Sequence, residues 1–221
     1  MTGWKGVLFD LDGTLADTLE LTLRSFRYTM RTHLGRQPPI SSFMASMGKP
    51  LPVQMRDYAR DEVERLAMLD TFASFQGTVH DEMVAPFPGA VATVRALREQ
   101  GARVGIVTSK GNRIGQRTME ACALHNEIEI VVFGNEVAHP KPHPEPVFKA
   151  LDALGLSEDP ASVLFVGDSP HDIRAGRSAG TKTAAVTWGP MDQGALAAEQ
   201  PDFFIEGLSD ILALTPLSPS G

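Results

Sequence analysis

Two aspartates near the start of the chain lie one residue apart, directly after an apolar run, in the segment VLFDLDGTLAD at residues 7–17. Successive side chains of a β-strand point to opposite faces, so Asp10 and Asp12 are expected on the same side of a strand. Gly13 and Thr14 then predict a turn whose backbone N–H groups face an anion. Such a pair of acids suits nucleophilic and general acid–base chemistry. A lone Asp-Leu-Asp is more often a turn or a helix cap, so the interpretation depends on the other strand ends.

Polar residues also follow the other apolar runs that look like strands. The run at 104–108 leads into a Thr-Ser-Lys segment. The run at 130–133 leads to a Lys between two prolines, and the run at 163–168 leads into a GDSPHD segment. The residues concerned are Thr108, Ser109, Lys110, Lys141, Asp168 and Asp172. Ligands of open α/β sheets collect beyond the carboxyl ends of the strands, so these side chains are expected near Asp10 and Asp12. Aspartates gathered so closely raise one another's pKa unless a cation shares them, and Mg²⁺ prefers such oxygen ligands.

The alternation of strand-like and helix-like segments predicts an α/β protein with a parallel sheet wrapped by helices. Strands are predicted at 7–10, 104–108, 130–133, 163–168, 183–187 and 203–205. Helices between them are predicted at 89–101, 144–155 and 172–180, each ending in a glycine.

One long stretch, residues 18–84, interrupts this alternation. It has no strand-like segment, but residues 19–35 and 63–84 carry broad apolar faces at helical spacing. The segment VAPFPG then brings the chain back through two prolines that cannot continue a helix. A helical insertion after the first strand is therefore predicted.

Composition limits the class of protein. With 221 residues the chain fits one medium domain or a core with a small insertion. A net charge of −7 argues against an extended nucleic-acid surface, and no apolar run is long enough to span a membrane. Without a secretory signal pattern, the protein is expected in the cytoplasm, with no nucleic-acid or membrane partner. The single cysteine, Cys122, excludes an internal disulfide and is expected to be a small core residue.

In their order and spacing, these segments resemble the motifs of the haloacid dehalogenase superfamily. Its first motif is hhhDxDGT, its second an apolar run ending in Thr or Ser, its third a Lys and its fourth GDSxxD. The segment PKPHPEPVF is also similar to the PKPxPxxF form of phosphoglycolate phosphatases. The resemblance implies a Rossmann-like, doubly wound parallel sheet of strand order 5-4-1-2-3 with an inserted all-helical cap domain. We expect residues 1–16 and 87–221 to form the core and residues 17–86 the cap.

The resemblance also implies catalytic roles. Asp10 would attack phosphorus and form a phosphoaspartyl intermediate, while Asp12 would protonate the leaving oxygen and then activate water. Thr108 would donate a hydrogen bond to the phosphate. Lys141 would offset the charge of the phosphoryl group and of Asp10.

Mg²⁺ is the cofactor that the resemblance implies. Asp168, one oxygen of Asp10 and the backbone carbonyl of Asp12 would hold it. Asp172 would bind the ion through water or orient Asp168. An equally weighted alternative is that Asp172 is the N-terminal acid of the helix at 172–180.

Substrate choice is expected in the cap, where the segment SMGKPLP holds the place of a substrate-facing loop in relatives. Lys49 in this segment is the leading candidate to bind a substrate carboxylate or a second phosphate, although exposed lysines are more often only solubilising. The secondary candidates for substrate binding are Arg24, Ser109, Lys110 and Asn112. None of these residues identifies the substrate.

The expected activity is Mg²⁺-dependent hydrolysis of a small anionic phosphorylated substrate, by a phosphoric monoester hydrolase of the phosphoglycolate phosphatase type. The main alternative is an inorganic pyrophosphatase of the same superfamily, to which GTKTAAVTW and GIVTSK also look similar. A sugar-phosphate phosphatase and a phosphomutase are further alternatives. Asp12 argues against a dehalogenase, which needs no proton donor at that position. A monomer or weak homodimer is expected.

Overall fold

The computed structural model of the protein describes residues 3–47 and 49–215. The strands are β1 (Gly6–Phe9), β2 (Ala16–Asp17), β3 (Ala85–Pro86), β4 (Arg103–Thr108), β5 (Ile130–Phe133), β6 (Val163–Gly167), β7 (Lys182–Val186) and β8 (Phe203–Ile205). The α-helices are α1 (Leu19–Leu34), α2 (Ile40–Met44), α3 (Leu51–Met55), α4 (Glu62–Met83), α5 (Ala90–Glu99), α6 (Asn112–Ala121), α7 (Glu145–Ala153), α8 (Pro170–Ser178) and α9 (Gln193–Ala198). Short 3-10 helices occupy Pro160–Ser162 and Leu208–Ala213. Within this described part of the chain, no helix is long and apolar enough to cross a membrane.

One parallel sheet contains six strands in the order β5-β4-β1-β6-β7-β8. Counted along the chain without the short pair β2 and β3, this order is 3-2-1-4-5-6. The expected order 5-4-1-2-3 is therefore confirmed, with β8 added at the edge beyond the fifth strand. Strand β1 lies in the middle, where Phe9 is in register with Ile106 of β4 and Val166 of β6. The carboxyl ends of these three strands consequently meet at one edge of the sheet.

Strand β1 is buried on both faces, which explains its uninterrupted apolar sequence. Val7 and Phe9 pack in a core cluster with α5 and α6, whereas Leu8 packs in a second cluster with α7 and α8. The sheet is thus doubly wound, and Cys122 is one of the buried core residues. Helices α5, α7 and α8 end shortly before the predicted glycines, which have positive φ: Gly101, Gly155 and Gly180.

The predicted helical insertion is present, because α1 to α4 lie between the first strand of the sheet and α5. Helix α1 packs along α4, as their broad apolar faces predict. The insertion has a hydrophobic cluster of its own, in which the rings of Phe26 and Phe43 stack with centroids 4.1 Å apart. This cluster holds the insertion together beside the site.

A two-stranded antiparallel ribbon of β2 and β3 connects the insertion to the sheet. Beside it, the Phe87 N–H donates to the Leu15 carbonyl at 2.9 Å. The predicted boundaries of the cap, after residue 16 and before residue 87, coincide with this ribbon, and the division into core and cap stays a prediction. Residues 1–2 and 216–221 of the predicted core and residue 48 of the predicted cap lie outside the described residues.

Two helical glycines allow a test of the helix–sheet packing. A Cβ at Gly115 of α6 would lie 2.5 Å from the Phe133 ring of β5, whereas a Cβ at Gly77 of α4 would lie 4.0 Å from the Arg117 side chain. Gly115→Ala should lower the free energy of unfolding by about 1–3 kcal/mol through overpacking. Gly77→Ala, the matched control, should raise it by roughly 0.5–1 kcal/mol through helix propensity. Chemical denaturation measures both values, and a stabilising Gly115→Ala would contradict this packing.

Candidate active site

The chain turns immediately after the carboxyl end of β1. Gly13 has a φ of +81°, which L side chains rarely adopt, and its N–H donates to the Ala16 carbonyl at 2.9 Å. A Cβ at this position would also collide with the Asp168 carboxylate. Glycine is therefore needed both for the turn and for the close approach of Asp168. The N–H of Gly13, which was expected to face an anion, is used within the turn.

Lys141 carries a buried ammonium that two carboxylates share. Its Nζ donates to Asp10 Oδ1 at 2.8 Å, to Asp172 Oδ1 at 2.6 Å and to the Val107 carbonyl at 3.0 Å. Burial opposes its charged form, but Asp10 and Asp172 outweigh that effect and raise the pKa of Lys141 above its ordinary value. Lys141 is therefore charged at neutral pH and fixes the position of Asp10.

Asp10, Asp168 and Asp172 form a buried cluster in which one oxygen of each carboxylate lies within 4.8 Å of the others. Burial, together with Asp172 and Asp12, raises the pKa of Asp10 from 3.8 to about 7 despite the opposing effect of Lys141. Burial and the neighbouring Asp10 raise the pKa of Asp168 well above its ordinary value. One ammonium cannot neutralise three ionised carboxylates. An oxygen-only set of this kind suits a hard divalent cation.

Asp172 also caps helix α8. Its Oδ2 accepts hydrogen bonds from the Ser169 N–H at 3.0 Å and from the Ser169 hydroxyl at 2.6 Å. The Asp172 N–H donates back to that hydroxyl at 3.4 Å, which completes a capping box. This geometry agrees with the alternative in which Asp172 is the N-terminal acid of the helix. Its other carboxylate oxygen holds Lys141.

The carboxylate of Asp12 is bound by a hydroxyl and an ammonium. Thr18 Oγ1 donates to Asp12 Oδ1 at 2.6 Å, and Lys110 Nζ donates to the same oxygen at 2.5 Å. Lys110, predicted to bind substrate, therefore contacts the second aspartate of the first motif. The metal contact expected of Asp12 is through its backbone carbonyl, and that contact stays a prediction.

Lys110 is linked in turn to the helical insertion. Its Nζ donates to Thr118 Oγ1 at 3.1 Å, and this hydroxyl lies 3.0 Å from Nε2 of His80 on α4. Nδ1 of His80 lies 2.8 Å from Asp81, whose carboxylate pairs with Arg117 of α6. Burial lowers the pKa of His80, which favours its neutral form. Side chains of α4 and α6 thus connect the insertion to the edge of the site.

A cavity of about 500 Å³ lies between the insertion and the carboxyl edge of the sheet. The predicted site residues that line it are Asp10, Asp12, Gly13, Lys49, Thr108, Ser109, Lys110 and Asp168. Lys141 and Asp172 are buried and contact the lining residues Asp10 and Ser169. Ser169 and Trp188 line the cavity without having been predicted. The Ser-x-x-Asp capping pattern is a sequence signal for Ser169, whereas local spacing does not mark Trp188.

Three predicted substrate-binding residues are not among those that line the cavity. Arg24 pairs with Glu20 on the same helix at 2.8 Å, and the Asn112 side chain donates to Glu136 at 3.0 Å. The Thr14 hydroxyl is buried and has no hydrogen-bond partner within the part of the chain that the structure describes. Arg24 and Asn112 are thus engaged in contacts other than the predicted ones.

The loop that carries Lys49 is supported from helix α3. Gln54 Nε2 donates to the Lys49 carbonyl at 2.7 Å, and the Ser46 hydroxyl donates to Gln54 Oε1 at 3.2 Å. The side chain of Lys49 is exposed and borders the cavity. The Lys49 carbonyl is therefore held in place, while the lysine side chain can meet a ligand that enters the cavity.

Known proteins share the sequence pattern of this chain. A family model described as haloacid dehalogenase-like hydrolase matches residues 7–186. A protein named pyrophosphatase PpaX from Bacillus cereus strain G9842 is 38% identical over 208 residues, which cover 94% of each chain.

Solved structures share the fold. A protein from Haemophilus somnus 129pt, named as a predicted phosphoglycolate phosphatase, is similar with a TM-score of 0.86 and 28% identity, covering 96% of this chain and 98% of its own. A haloacid dehalogenase-like family hydrolase from Streptococcus pneumoniae has a TM-score of 0.82 at 24% identity, covering 96% and 99% of the two chains. The second likeness concerns the fold alone.

The raised pKa of Asp10 predicts that Mg²⁺ stabilises the protein more at high pH than at low pH. Between pH 3.8 and about 7, the folded metal-free protein keeps a proton on Asp10 that the unfolded chain has lost, so the free energy of unfolding falls as the pH rises. A cation that binds the ionised carboxylates removes this loss. The rise in thermal unfolding midpoint from EDTA to Mg²⁺ should therefore be larger at about pH 8 than at about pH 5.

Asp168→Asn is the control for this measurement, because it keeps the side-chain shape and removes the charge of one carboxylate of the cluster. It should lose most of the Mg²⁺-dependent rise at both pH values. A rise that is the same at both pH values in the wild-type protein would contradict the proposed charge state of the cluster.

Proposed function

The chain belongs to the haloacid dehalogenase-like hydrolases, and we propose that it is a Mg²⁺-dependent phosphohydrolase that splits inorganic pyrophosphate. Similarity to a pyrophosphatase across nearly the whole chain supports this substrate over the phosphoglycolate expected from the sequence. We infer the reaction type from one observation above all. Lys141 contacts Asp10 within a buried cluster of carboxylates at the cavity.

Asp10 is the proposed nucleophile. Its carboxylate oxygen forms a bond to phosphorus while the bond from phosphorus to the bridging oxygen breaks, and one phosphate leaves. Lys141, 2.8 Å from Oδ1 of Asp10, offsets the negative charge that accumulates where the carboxylate and the phosphoryl group meet. Thr108 Oγ1 accepts a hydrogen bond from the Lys110 N–H at 3.1 Å, and this contact orients the hydroxyl that is proposed to donate to the phosphoryl group.

Asp12 is the proposed general acid and base. It gives a proton to the leaving phosphate in the first step and takes one from the attacking water in the second. The water oxygen then bonds to phosphorus, the bond from phosphorus to Asp10 breaks, and both side chains return to their starting state. The hydrogen bonds from Thr18 and Lys110 both end on Asp12 Oδ1, so we assign the proton transfer to Oδ2.

Asp10, Asp168 and the backbone carbonyl of Asp12 are the proposed ligands of Mg²⁺. The bound ion would neutralise part of the charge on the carboxylates and on the phosphoryl oxygens. The cluster fits such an ion, because its donors are buried oxygens whose pKa values are raised at Asp10 and Asp168. Asp172, with both oxygens in hydrogen bonds to protein groups, is proposed to position Lys141 and not to act as a direct ligand.

Phosphoglycolate is a second candidate substrate. Lys49 borders the cavity and can pair with a carboxylate as well as with a second phosphate. Both substrates carry another anionic group beyond the phosphorus that is attacked. The similar solved structure from Haemophilus somnus, named as a predicted phosphoglycolate phosphatase, favours this candidate.

Substitution of the two aspartates should separate their roles. Asp10→Asn should abolish turnover and phosphoprotein formation, because the amide is a poor nucleophile. Asp12→Asn should still transfer the phosphoryl group to Asp10 but turn over about 10²–10⁴-fold more slowly, so that phosphoaspartate accumulates. Rapid acid quench and mass spectrometry of the peptide around Asp10 measure this. A phosphate found on Thr108 or Ser109 would contradict the assignment.

Lys49 should select for the second anion of the substrate. Lys49→Ala should raise KM for pyrophosphate by more than about tenfold, which corresponds to roughly 1.4 kcal/mol. It should change KM little for p-nitrophenyl phosphate, whose leaving group carries no second anion. Lys5→Ala, which removes an exposed lysine paired with Asp159, is the control and should affect neither substrate. Equal losses on both substrates would show that Lys49 supports the cap and does not select the substrate.

A further inference from the structure

Two histidines and a glutamate gather on the segment that carries Lys141. One ligand atom each of His139, His143 and Glu145 lies within 4.8 Å of the others. The buried aspartates form a separate group, and none of these three residues is among the described residues that line the cavity. The histidine–glutamate cluster is therefore distinct from the candidate active site.

Both imidazole rings direct the same nitrogen toward Glu145. Nδ1 of His139 lies 2.9 Å from Oε2 of Glu145, and Nδ1 of His143 accepts a hydrogen bond from the Glu145 N–H at 3.2 Å. The two ring centroids are 4.8 Å apart. Because Nδ1 of His143 accepts, it presents a lone pair toward the start of α7. Nδ1 of His139 presents one as well in the tautomer whose proton is on Nε2.

The spacing of these atoms suits a small cation with nitrogen and oxygen ligands. Ligand atoms about 2.0–2.2 Å from a tetrahedral Zn²⁺ lie roughly 3.3–3.6 Å from one another. The 2.9 Å between Nδ1 of His139 and Oε2 of Glu145 is close to this separation. Both histidines are exposed, so their rings can turn toward a common ion.

The carboxylate of the cluster is held in place by the backbone. The Ala138 N–H donates to Oε1 of Glu145 at 2.8 Å, and the His139 N–H donates to Oε2 at 2.9 Å. The hydrogen bonds from Ala138 and His139 keep the pKa of Glu145 below its ordinary value, so the carboxylate is ionised at neutral pH. Three prolines lie between Ala138 and Glu145 and fix φ on either side of the histidines. A ligand that binds here therefore orders little additional backbone.

We infer that His139, His143 and Glu145 bind a transition-metal ion of the zinc type at the surface, separately from the proposed Mg²⁺. Two imidazoles and a carboxylate suit Zn²⁺, whereas Mg²⁺ prefers oxygen ligands alone. Three protein ligands leave a fourth position for water. Because the ligands lie on both sides of Lys141 in sequence, the bound ion also restrains the segment that carries Lys141. The inference does not depend on the proposed substrate.

Titration of the full chain with Zn²⁺ tests this inference. Competition with a chromophoric chelator, in the presence of excess Mg²⁺, measures the affinity for Zn²⁺. His139→Ala and His143→Ala should each weaken binding by at least about tenfold, because loss of a residue that only orients a metal ligand already costs about 10–100-fold. His125→Ala, which removes an exposed histidine outside the cluster, is the matched control and should leave the affinity unchanged. Asp168→Asn, which alters the buried aspartate cluster, should also leave this binding in place.

Amide hydrogen exchange measures the effect of the ion on the Lys141 segment. In the wild-type protein, Zn²⁺ should slow exchange in the peptide that spans residues 137–149 by at least about threefold, because a ligand that ties the segment together opposes its local opening. The same addition should leave exchange in this peptide unchanged in His139→Ala and in His143→Ala. His125→Ala should respond to Zn²⁺ as the wild-type protein does.

The outcomes are distinct from those that test the proposed hydrolysis. Zn²⁺ binding that depends on both histidines would support the site, whether or not pyrophosphate is hydrolysed. A wild-type protein that does not bind Zn²⁺, an affinity that both histidine substitutions leave unchanged, or binding that is lost in Asp168→Asn would overturn it. Histidine-dependent binding without slower exchange would overturn the restraint on the Lys141 segment.

Discussion

The buried ammonium of Lys141 is the group on which the arrangement of the site depends. Three buried carboxylates form a cluster beside it, and burial raises the pKa of two of them, Asp10 and Asp168. Lys141 reaches Asp10, 131 positions away in sequence, because the strands that precede them lie in one sheet with β4 between them. Removing one partner of a buried ion pair typically costs about 3–5 kcal/mol, so this contact constrains the fold as well as the chemistry. The single positive charge of Lys141 cannot balance three ionised carboxylates. This excess of negative charge explains why a divalent cation fits the cluster.

A second set of contacts connects the helical insertion with Asp12, the proposed acid–base residue. Asp12 is bound by Lys110, which contacts Thr118, and Thr118 contacts His80 on α4. The β2–β3 ribbon joins the same insertion to the chain just after Asp12. The position of Asp12 is therefore coupled to the packing of α4 against α6.

The sequence was sufficient for the parts of the structure that depend on local periodicity. Apolar runs, helical spacing and glycine stops predict the strands, their surrounding helices and the helical insertion, and the family resemblance predicts the strand order. The β2–β3 ribbon was not predicted, because two paired residues on each side produce no periodic pattern. The Ser169–Asp172 capping box has a local signal and could have been predicted.

Contacts between side chains distant in sequence were harder to predict. Lys110 lines the cavity and its substrate contact stays a prediction, but its contact with Asp12 was not predicted, because a position after a strand does not determine the direction of a long side chain. Arg24 was expected at the cavity, but it lies beside an oppositely charged Glu20 one turn earlier on its helix. The lining of the cavity on the side of the insertion depends on how four helices pack together. No short motif reports that packing.

The stereochemical course at phosphorus tests the central claim, a two-step displacement through Asp10, most directly. A substrate whose transferred phosphoryl group is made chiral with oxygen isotopes and sulfur is hydrolysed by the wild-type enzyme, and the configuration of the product is determined. Two successive in-line displacements, first by Asp10 and then by water, each invert the configuration, so overall retention is predicted. Overall inversion would mean that water attacks the substrate directly and would contradict the role of Asp10 as nucleophile.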